Sequence, residues 1–550
     1  MKTFILVFLL IPGLLHAGLR LPNIFGDHMV LQRGKPVTVW GSADAGEAVE
    51  VRFAGQAKTT RADAKGTWTL HMEPLEANAV GQILFVKASS GEQTFSDVLI
   101  GDVWLCGGQS NMEWTLRACR DADIEIPAAR LPGIRFIRIP KLARMSPQDD
   151  FPVKSPTDGE GNWRLAIPEQ VENCTGVGYF FAKRLHRNLK IPIGLVDTSW
   201  GGTMAQHWAT KESLRPIPEM KPYFEKFETA LKEWNEGGGV DGAKKRLETD
   251  LKDFEVARAD AIAKGEREPR KPNPRSYTDP ADKGQPGGMI NGVLYPVARY
   301  RYKGILFYQG ENNSFAESWK PFYATFPAVI DDWRNVLQDD LPFCIIQIAG
   351  WSNRRSMSYD MNHHCNVIRE IQHLTWERTE NTGLIVTYDT NSNGSIHPGR
   401  KTPVGERAAR WALAEVYGHE GHGTRKPLEW RGPVYAAHEV KDGKVYISFH
   451  EKTHRGLRLD QDVEVGFYIA GDDREFHHAR ARINKDTLIV WHDEVKEPRA
   501  VRYAWSNLPM GGLMNARELP AYPFRTDTWP ITPHQSTGDY EVEKILKPRS

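Results

Sequence analysis

The sequence predicts an α/β fold: a mostly parallel sheet covered by helices, with β-sandwich-like regions at both ends of the chain. Residues 19–97, and again those after 423, carry short strands separated by glycine-bearing turns, as β-sandwiches do. Between these regions, strand-like and helix-like segments alternate, which is typical of a parallel sheet with crossover helices. At 550 residues, the chain is also too long for a single core.

The N-terminal end has the pattern of an export signal. Lys2 supplies a positive charge, Phe4–Ile11 is an apolar run, Pro12 breaks the run, and Ala17 offers a small residue for cleavage. We therefore predict a signal peptide at residues 1–17. The mature protein is expected to be secreted or periplasmic and not held in a membrane.

Three further segments follow the signal peptide. We predict an N-terminal β domain at 18–97, an α/β domain at 98–423 and a C-terminal β domain at 424–550. Residues 211–288 interrupt the α/β domain: 221–263 are charged with helical spacing, broken at Gly237–Gly239, and the remainder is rich in Pro, Gly, Arg and Lys. A solvated helical excursion followed by a loop fits this composition, and a lid over the crevice is the alternative.

The individual elements follow from hydrophobic periodicity. The predicted strands are 37–40, 48–53, 82–86, 103–106, 193–196, 304–308, 343–348, 384–387, 445–449, 463–468, 487–491 and 500–505. The predicted helices of the α/β domain are 177–190, 322–337, 367–375 and 404–417.

Composition excludes several classes of function. Lys and Arg (71) balance Asp and Glu (70), so the chain lacks the basic excess of a nucleic-acid-binding protein. Five scattered cysteines form no disulfide framework or Cys-x-x-Cys motif. The pairs His363-His364 and His477-His478 lack metal-ligand spacing, so we expect no metal and no cofactor.

Three short motifs each follow a strand of the predicted parallel sheet. Ser110 comes after the strand 103–106 and two glycines, Gly202 after the strand 193–196, and Glu311 after the strand 304–308. Residues just past the carboxyl ends of parallel strands face one crevice. Ser110 can therefore act as a nucleophile for acyl transfer.

Serine nucleophiles need a general base and donors for the oxyanion. His397 is the predicted base because it lies in a loop between the last predicted strand of the sheet and the closing helix. The predicted oxyanion hole combines the backbone N–H groups of Ser110 and Gly202 with a side-chain amide, for which Asn313 and Gln309 are the candidates.

Four blocks resemble the sialate O-acetylesterase family of SGNH hydrolases. They are Gly108–Met112, Trp200–Thr203, Tyr308–Glu311 and Ile396–Pro398, in the order of the family. Asp27–Arg33, Tyr503–Asn507 and Pro523–Asp527 also resemble its terminal regions, so the resemblance spans nearly the whole mature chain. It implies an SGNH-type three-layer sandwich and a serine esterase that removes acetyl groups from sugar hydroxyls without a cofactor.

The chain departs from the family pattern at two positions. Ser395 stands where the family usually has an aspartate two residues before the histidine, and Asn312 replaces a serine of the third block. The first departure removes the expected carboxylate partner of His397. We predict that Glu311 supports His397 instead, with Asp389 as the second candidate and a purely structural Glu311 as the alternative.

An acetylated sugar or glycan is the expected substrate. Tryptophans suit sugar rings, and four of the 17 lie near the motifs and are predicted substrate contacts: Trp114, Trp200, Trp208 and Trp351. Two alternatives remain open at this point. One is an acetylesterase for plant or algal polysaccharide of the xylan or pectin type, and the other is a catalytically silent carbohydrate-binding protein on the same scaffold.

Overall fold

The computed structural model describes residues 18–153, 160–351, 364–392, 395–423, 426–460, 466–533 and 536–546. The predicted signal peptide and residues 463–465 of the predicted strand 463–468 lie outside these residues. Within the described part of the chain, no helix combines the length and the apolar character needed to cross a membrane.

Strands alone form the N-terminal region. They are β1 (Val30–Gln32), β2 (Val37–Ser42), β3 (Ala48–Phe53), β4 (Gln56–Arg61), β5 (Thr67–Met72), β6 (Asn78–Ala88) and β7 (Gly91–Gly108). Buried and exposed residues alternate along β3 and β5, as expected where one face of a sheet is covered. The three strands predicted in this region form as parts of β2, β3 and β6.

The long strand β7 belongs to two sheets. Its first half pairs antiparallel with β6, and its second half lies in the central sheet. The other central strands are β8 (Leu131–Arg138), β9 (Arg164–Ala166), β10 (Ile193–Asp197), β11 (Gly304–Tyr308), β12 (Phe343–Ile346) and β13 (Thr382–Ile385). Because β7 runs through residue 97, the boundary placed there stays a prediction.

The central sheet has the order β13-β12-β11-β7-β10-β8-β9. All its neighbouring pairs are parallel except β8 with β9 at one edge, which confirms the predicted mostly parallel sheet. Strands β10 and β11 are buried along their whole length, as expected for a sheet with both faces covered. In register, Asp197 lies beside Cys106 and Tyr308 beside Gly108, so the carboxyl ends of β7, β10 and β11 meet at one edge.

Helices cover the sheet and form the insertion. They are α1 (Ser110–Glu113), α2 (Ala122–Ala128), α3 (Gly176–Leu189), α4 (Lys211–Leu214), α5 (Lys221–Glu236), α6 (Gly239–Lys264), α7 (Pro280–Lys283), α8 (Phe322–Leu337), α9 (His364–Arg378), α10 (Thr402–Trp411) and α11 (Val542–Leu546). The predicted break at Gly237–Gly239 separates α5 from α6. The predicted closing helix ends early as α10 and continues as a wider turn at Ala412–Val416.

Antiparallel sheets return after the α/β region, as predicted. Their strands are β14 (Tyr435–Lys441), β15 (Lys444–Phe449), β16 (Arg458–Leu459), β17 (Phe467–Ala470), β18 (His477–His478), β19 (Arg480–Asn484), β20 (Thr487–Trp491), β21 (Ala500–Tyr503), β22 (Leu513–Met514) and β23 (Phe524–Arg525). Buried contacts tie this region to the central sheet: the Tyr522 hydroxyl donates to the Leu384 carbonyl at 2.5 Å, and the Tyr388 and Tyr503 hydroxyls lie 3.1 Å apart.

Candidate active site

Ser110 lies two residues beyond the end of β7, at the edge where the three strands meet. Gly108 has φ +115°, and a Cβ atom there would lie 2.2 Å from the Tyr308 carbonyl oxygen, so the close approach of β7 to β11 requires glycine. The Gln109 N–H then donates to that same carbonyl at 2.9 Å. Ser110 opens the short helix α1 and is partly exposed to solvent.

The structure brings His397 to Ser110. The distance between the serine Oγ and the histidine Nε2 is 2.7 Å, across 287 residues of sequence. Burial, and then the nearby Lys401 ammonium, lower the pKa of His397, while the Glu113 carboxylate opposes this effect. A neutral imidazole with Nε2 facing a serine hydroxyl is arranged to accept its proton.

Neither candidate carboxylate contacts the His397 ring. One carboxylate oxygen of Glu311 accepts from Asn111 Nδ2 at 2.5 Å, and that amide also donates to the Ile396 carbonyl at 3.1 Å. Glu311 therefore reaches the histidine loop only through Asn111. Its other oxygen is buried without a partner among the described residues, and burial raises its pKa to about 7.

Asp389 is engaged elsewhere. Its two carboxylate oxygens accept from the Arg407 guanidinium at 2.7 and 2.6 Å. Ser395, at the position of the family's aspartate, accepts the backbone N–H of His397 with its hydroxyl oxygen at 3.0 Å, which braces the loop. A direct carboxylate partner for the imidazole is thus absent from the described residues.

Trp114 packs against the histidine ring. The two rings are stacked, with centroids 5.1 Å apart and planes inclined by 22°. On the same indole, the Lys401 ammonium lies 6.0 Å from the ring centroid and donates to Asn111 Oδ1 at 2.5 Å. Trp114 is a predicted substrate contact, but its position four residues after Ser110, about one helical turn away, also indicates a place beside the serine.

The Gly202 turn is held over Ser110 by several hydrogen bonds. The Gly201 N–H donates to Glu113 at 2.6 Å, and Asn312 Nδ2 donates to the Gly202 carbonyl at 2.9 Å. Gly202 has φ +73°, and no described residue accepts its N–H. Sequence reasoning missed Glu113 and did not foresee that the atypical Asn312 fixes this turn.

The side-chain amides of Gln309 and Asn313 are used inside the protein. Gln309 Nε2 donates to Gln109 at 2.8 Å and to the Thr203 carbonyl at 2.9 Å. Asn313 accepts the Ala205 N–H at 2.9 Å and donates to Gln206 at 3.1 Å. Both side chains are fully buried, so in this arrangement they shape the Gly202 turn and present no donor to a ligand.

The other three predicted tryptophan contacts differ in exposure. Trp208 is fully buried, donates to Thr203 at 2.9 Å and packs 5.9 Å from Trp333, so its predicted contact with a sugar does not fit its place in the core. Trp200 and Trp351 are partly exposed. The Lys283 ammonium of α7, within the insertion, lies 6.0 Å from the Trp200 ring centroid.

The described residues contain one group of potential metal ligands, in the C-terminal β region: His477, His492 and Glu494, whose ligand atoms lie within 4.8 Å of one another. The Nδ1 atom of His492 accepts the Glu494 N–H at 3.2 Å. Metal-bound histidines use their second ring nitrogen as a donor, so this arrangement does not favour a metal.

The known proteins that this chain resembles are carbohydrate esterases. The family model described as carbohydrate esterase, sialic acid-specific acetylesterase, matches residues 288–413, which include Glu311 and His397. The sialate O-acetylesterase of Mus musculus is 25% identical over 541 residues, covering 90% of each chain. The sialate O-acetylesterase of Homo sapiens is 24% identical over 532 residues, covering 90% of this chain and 88% of the human one.

The fold also matches a solved structure over nearly its whole length. The crystal structure of a novel carbohydrate acetylesterase from Xanthomonas citri superimposes with a TM-score of 0.74 and 30% sequence identity. The match covers 93% of this chain and 100% of that chain.

Proposed function

The chain belongs to the sialate O-acetylesterase family of carbohydrate esterases, and from this premise we propose that it hydrolyses O-acetyl esters of a sugar through an acetyl-serine intermediate on Ser110. Family membership makes it a carboxylic ester hydrolase. The observation that carries the proposed mechanism is the 2.7 Å contact between Ser110 Oγ and His397 Nε2 at the carboxyl edge of the sheet.

In the first half-reaction, His397 Nε2 takes the proton of the Ser110 hydroxyl while Oγ attacks the acetyl carbonyl carbon. The negative charge that develops on the carbonyl oxygen is stabilised by the backbone N–H groups of Ser110 and Gly202. The tetrahedral intermediate then expels the sugar oxygen, which leaves as an alcohol with the proton held by the imidazolium. The products are the free sugar hydroxyl and an acetyl ester on Ser110.

Water completes the cycle. His397 accepts a proton from the water molecule as its oxygen attacks the acetyl-serine, and the same two N–H groups stabilise the second oxyanion. Collapse of this intermediate returns the proton to Ser110 Oγ and releases acetate. The enzyme is regenerated without a cofactor.

The transient imidazolium is stabilised without a directly bound carboxylate. The face of the Trp114 indole attracts a cation, since the ring carries negative charge on its face. The negative charge of Glu113 also favours protonated His397 and partly offsets the lowering of its pKa by burial and Lys401. Glu113 also accepts the Gly201 N–H. The same carboxylate therefore acts on the charge of His397 and holds the turn that carries the proposed oxyanion donor, Gly202.

The proposed substrate class is O-acetylated sialic acid, the class named for the mouse and human relatives. Trp200 and Trp351 are the partly exposed tryptophans that remain candidates for stacking on the sugar. The second candidate is another acetylated carbohydrate, since the Xanthomonas citri relative, with 30% identity, is named only as a carbohydrate acetylesterase.

Acetate release tests both the reaction and the substrate. Purified protein is offered O-acetylated sialic acid, acetylated xylan and acetylated pectin, with Ser110→Ala as the blank. We expect acetate from at least one glycan and none above the blank from the variant. Acetate from xylan or pectin but not from sialic acid would overturn the sialate proposal, and equal release by Ser110→Ala would overturn the mechanism.

Two further experiments complete the test. A fluorophosphonate probe should label Ser110 in the unmodified protein but not after His397→Ala, since labelling requires an activated hydroxyl; a silent sugar-binding protein would not react in either case. The proposed export is tested by expressing the full chain in a Gram-negative host: N-terminal sequencing of the periplasmic protein should show that residues 1–17 are missing.

A further inference from the structure

A buried arginine behind the site lacks a counter-charge. Arg369 lies on α9 and is 1% exposed. Its Nη2 donates to the Ser506 carbonyl, while Nε and Nη1 have no acceptor among the described residues. Burial lowers the pKa of Arg369 to about 10, which still leaves the guanidinium charged at neutral pH.

Other buried arginines in the same region are paired. Arg502 donates to both carboxylate oxygens of Asp527 at 2.8 Å. Arg525 donates to Glu370, the neighbour of Arg369 on α9, at 2.9 and 3.1 Å. The fold therefore supplies carboxylates to buried guanidinium groups here, and Arg369 is the exception among these three.

Cys365 does not supply the missing charge. It lies one turn before Arg369 on α9 and is the group whose charge would favour the protonated arginine. Burial raises the pKa of the Cys365 thiol, however, so the group is neutral at physiological pH. An uncompensated buried charge is among the most costly features that a folded protein can carry.

Two buried residues with unpaired polar groups flank Ser506 in the sequence. The side chain of Asn507, the next residue, is fully buried, and both its amide nitrogen and its oxygen lack partners in the described part of the chain. Trp505, the preceding residue, has an unpaired buried indole N–H. The segment that contacts Arg369 therefore carries unpaired buried donors next to the contact in sequence, and donors beside a positive charge are complementary to an anion.

We propose that Arg369, together with residues 505–507, binds a small monovalent anion of the size and charge of chloride. Full burial excludes organic anions, and a single negative charge neutralises the guanidinium where a water molecule would not. The anion would join α9 to the C-terminal segment. Three residues further along α9, Gln372 donates to the Gln309 carbonyl at 2.9 Å, so the anion would also support the third block of the active site from behind.

Thermal unfolding of the full-length protein tests the proposal without reference to activity. At constant ionic strength, we replace sodium gluconate stepwise by sodium chloride. Tm should rise with chloride, and bromide should reproduce the effect, because a ligand that binds only the folded state stabilises it. The same Tm in gluconate, chloride and bromide would overturn the proposal.

A matched pair of variants separates binding from general salt effects. Arg369→Met removes the charge in similar volume and should abolish the halide dependence. Arg258→Met removes a charge from the exposed face of α6, where Arg258 pairs with Glu268, and should retain it. Halide dependence that survives in Arg369→Met would overturn the assignment.

Crystallography of the unmodified protein provides a readout that does not depend on a variant folding. Crystals soaked in sodium bromide should show an anomalous peak at hydrogen-bond distance from Nε or Nη1 of Arg369. Water at this position, without anomalous signal, would contradict the proposal.

Discussion

Replacing Trp114 by alanine tests whether this ring holds His397, the proposed catalytic base, or contacts the sugar. Its indole is stacked 5.1 Å from the His397 ring, and the Lys401 ammonium lies 6.0 Å from its centroid. If the ring orients the imidazole and stabilises its protonated form, its removal should lower kcat. A substrate contact would instead raise KM with little change in kcat.

The size of the loss follows from the two contacts. An aromatic pair contributes about 0.5–1.5 kcal/mol beyond its buried area. An imidazolium over an indole face gains about 0.5–2 kcal/mol in a partly desolvated site. If both contributions are lost from the transition state, the barrier rises by about 1–3.5 kcal/mol, which corresponds to a decrease in kcat of about 5- to 400-fold.

Trp114→Phe is the matched control. Both substitutions lose the hydrogen bond from the indole N–H to the Ala118 carbonyl, which measures 2.7 Å, but only phenylalanine keeps an aromatic face. We therefore expect kcat of the phenylalanine variant to stay within about threefold of the unmodified enzyme, since phenylalanine retains most of the cation–π attraction.

The pH profile provides an independent readout. Burial is the largest cause of the lowered pKa of His397. Removing the indole exposes the imidazole to water, which raises its pKa, and also removes the cation–π attraction, which lowers it. Because burial is the largest cause of the shift, we expect the pKa to rise toward the ordinary value and the acidic limb of kcat/KM to move to higher pH. Equal kcat in the alanine and phenylalanine variants, with an unchanged acidic limb, would refute this role for Trp114.

Four other substitutions test the remaining parts of the site. Gly202→Ala places a Cβ at φ +73°, 2.9 Å from the Lys283 ammonium, and displaces an oxyanion donor; kcat should fall about 10²-fold, and an unchanged kcat would remove Gly202 from the proposed hole. Asn312→Ala removes the hydrogen bond to the Gly202 carbonyl. It should lower kcat about tenfold at similar KM, since a lost hydrogen bond to a positioning group costs about 1.4 kcal/mol or less. Asn312→Ser, which introduces the serine usual in the family, is the comparison. Glu311→Gln should raise Tm at pH 8 but not at pH 4, measured by scanning calorimetry. Its folded pKa of about 7 exceeds the reference 4.5, so ionisation costs stability as pH rises through that window, and a pH-independent difference in Tm would contradict this. Lys401→Met removes the charge that lowers the pKa of His397, so the acidic limb of kcat/KM should move to higher pH; an unmoved limb would assign the lowered pKa to burial alone.

The placement of the site was predictable because strand topology determines it. Once Ser110, Gly202 and Glu311 are each assigned to the residues after a parallel strand, pairing of β7 with β10 and β11 brings them to one edge. His397 followed from its position before α10. These inferences need only the chain order of strands and helices, which hydrophobic periodicity reveals.

The direction of individual side chains was not predictable in this way. Gln309 and Asn313 occupy the expected loop, but their amides turn inward to bind Gln109 and Ala205. Trp200 and Trp208 are eight residues apart, yet one is partly exposed and the other lies in the core. Such differences depend on rotamers and packing against residues far away in sequence, for which a single sequence carries no signal.

With Ser395 at the position of the family's aspartate, the other charged groups around the imidazole set the pKa of His397. A carboxylate on Nδ1 would raise the pKa of His397 and strengthen it as a base, but this chain uses Ser395 to brace the loop. Burial, and then Lys401, lower the pKa of His397 instead, so the imidazole stays neutral, and therefore able to accept a proton, at more acidic pH. A weaker base transfers the serine proton less readily, while its conjugate acid donates more readily to the departing sugar oxygen. In the proposed mechanism, this arrangement favours the leaving-group step over the attack step and keeps His397 able to act as a base below neutral pH.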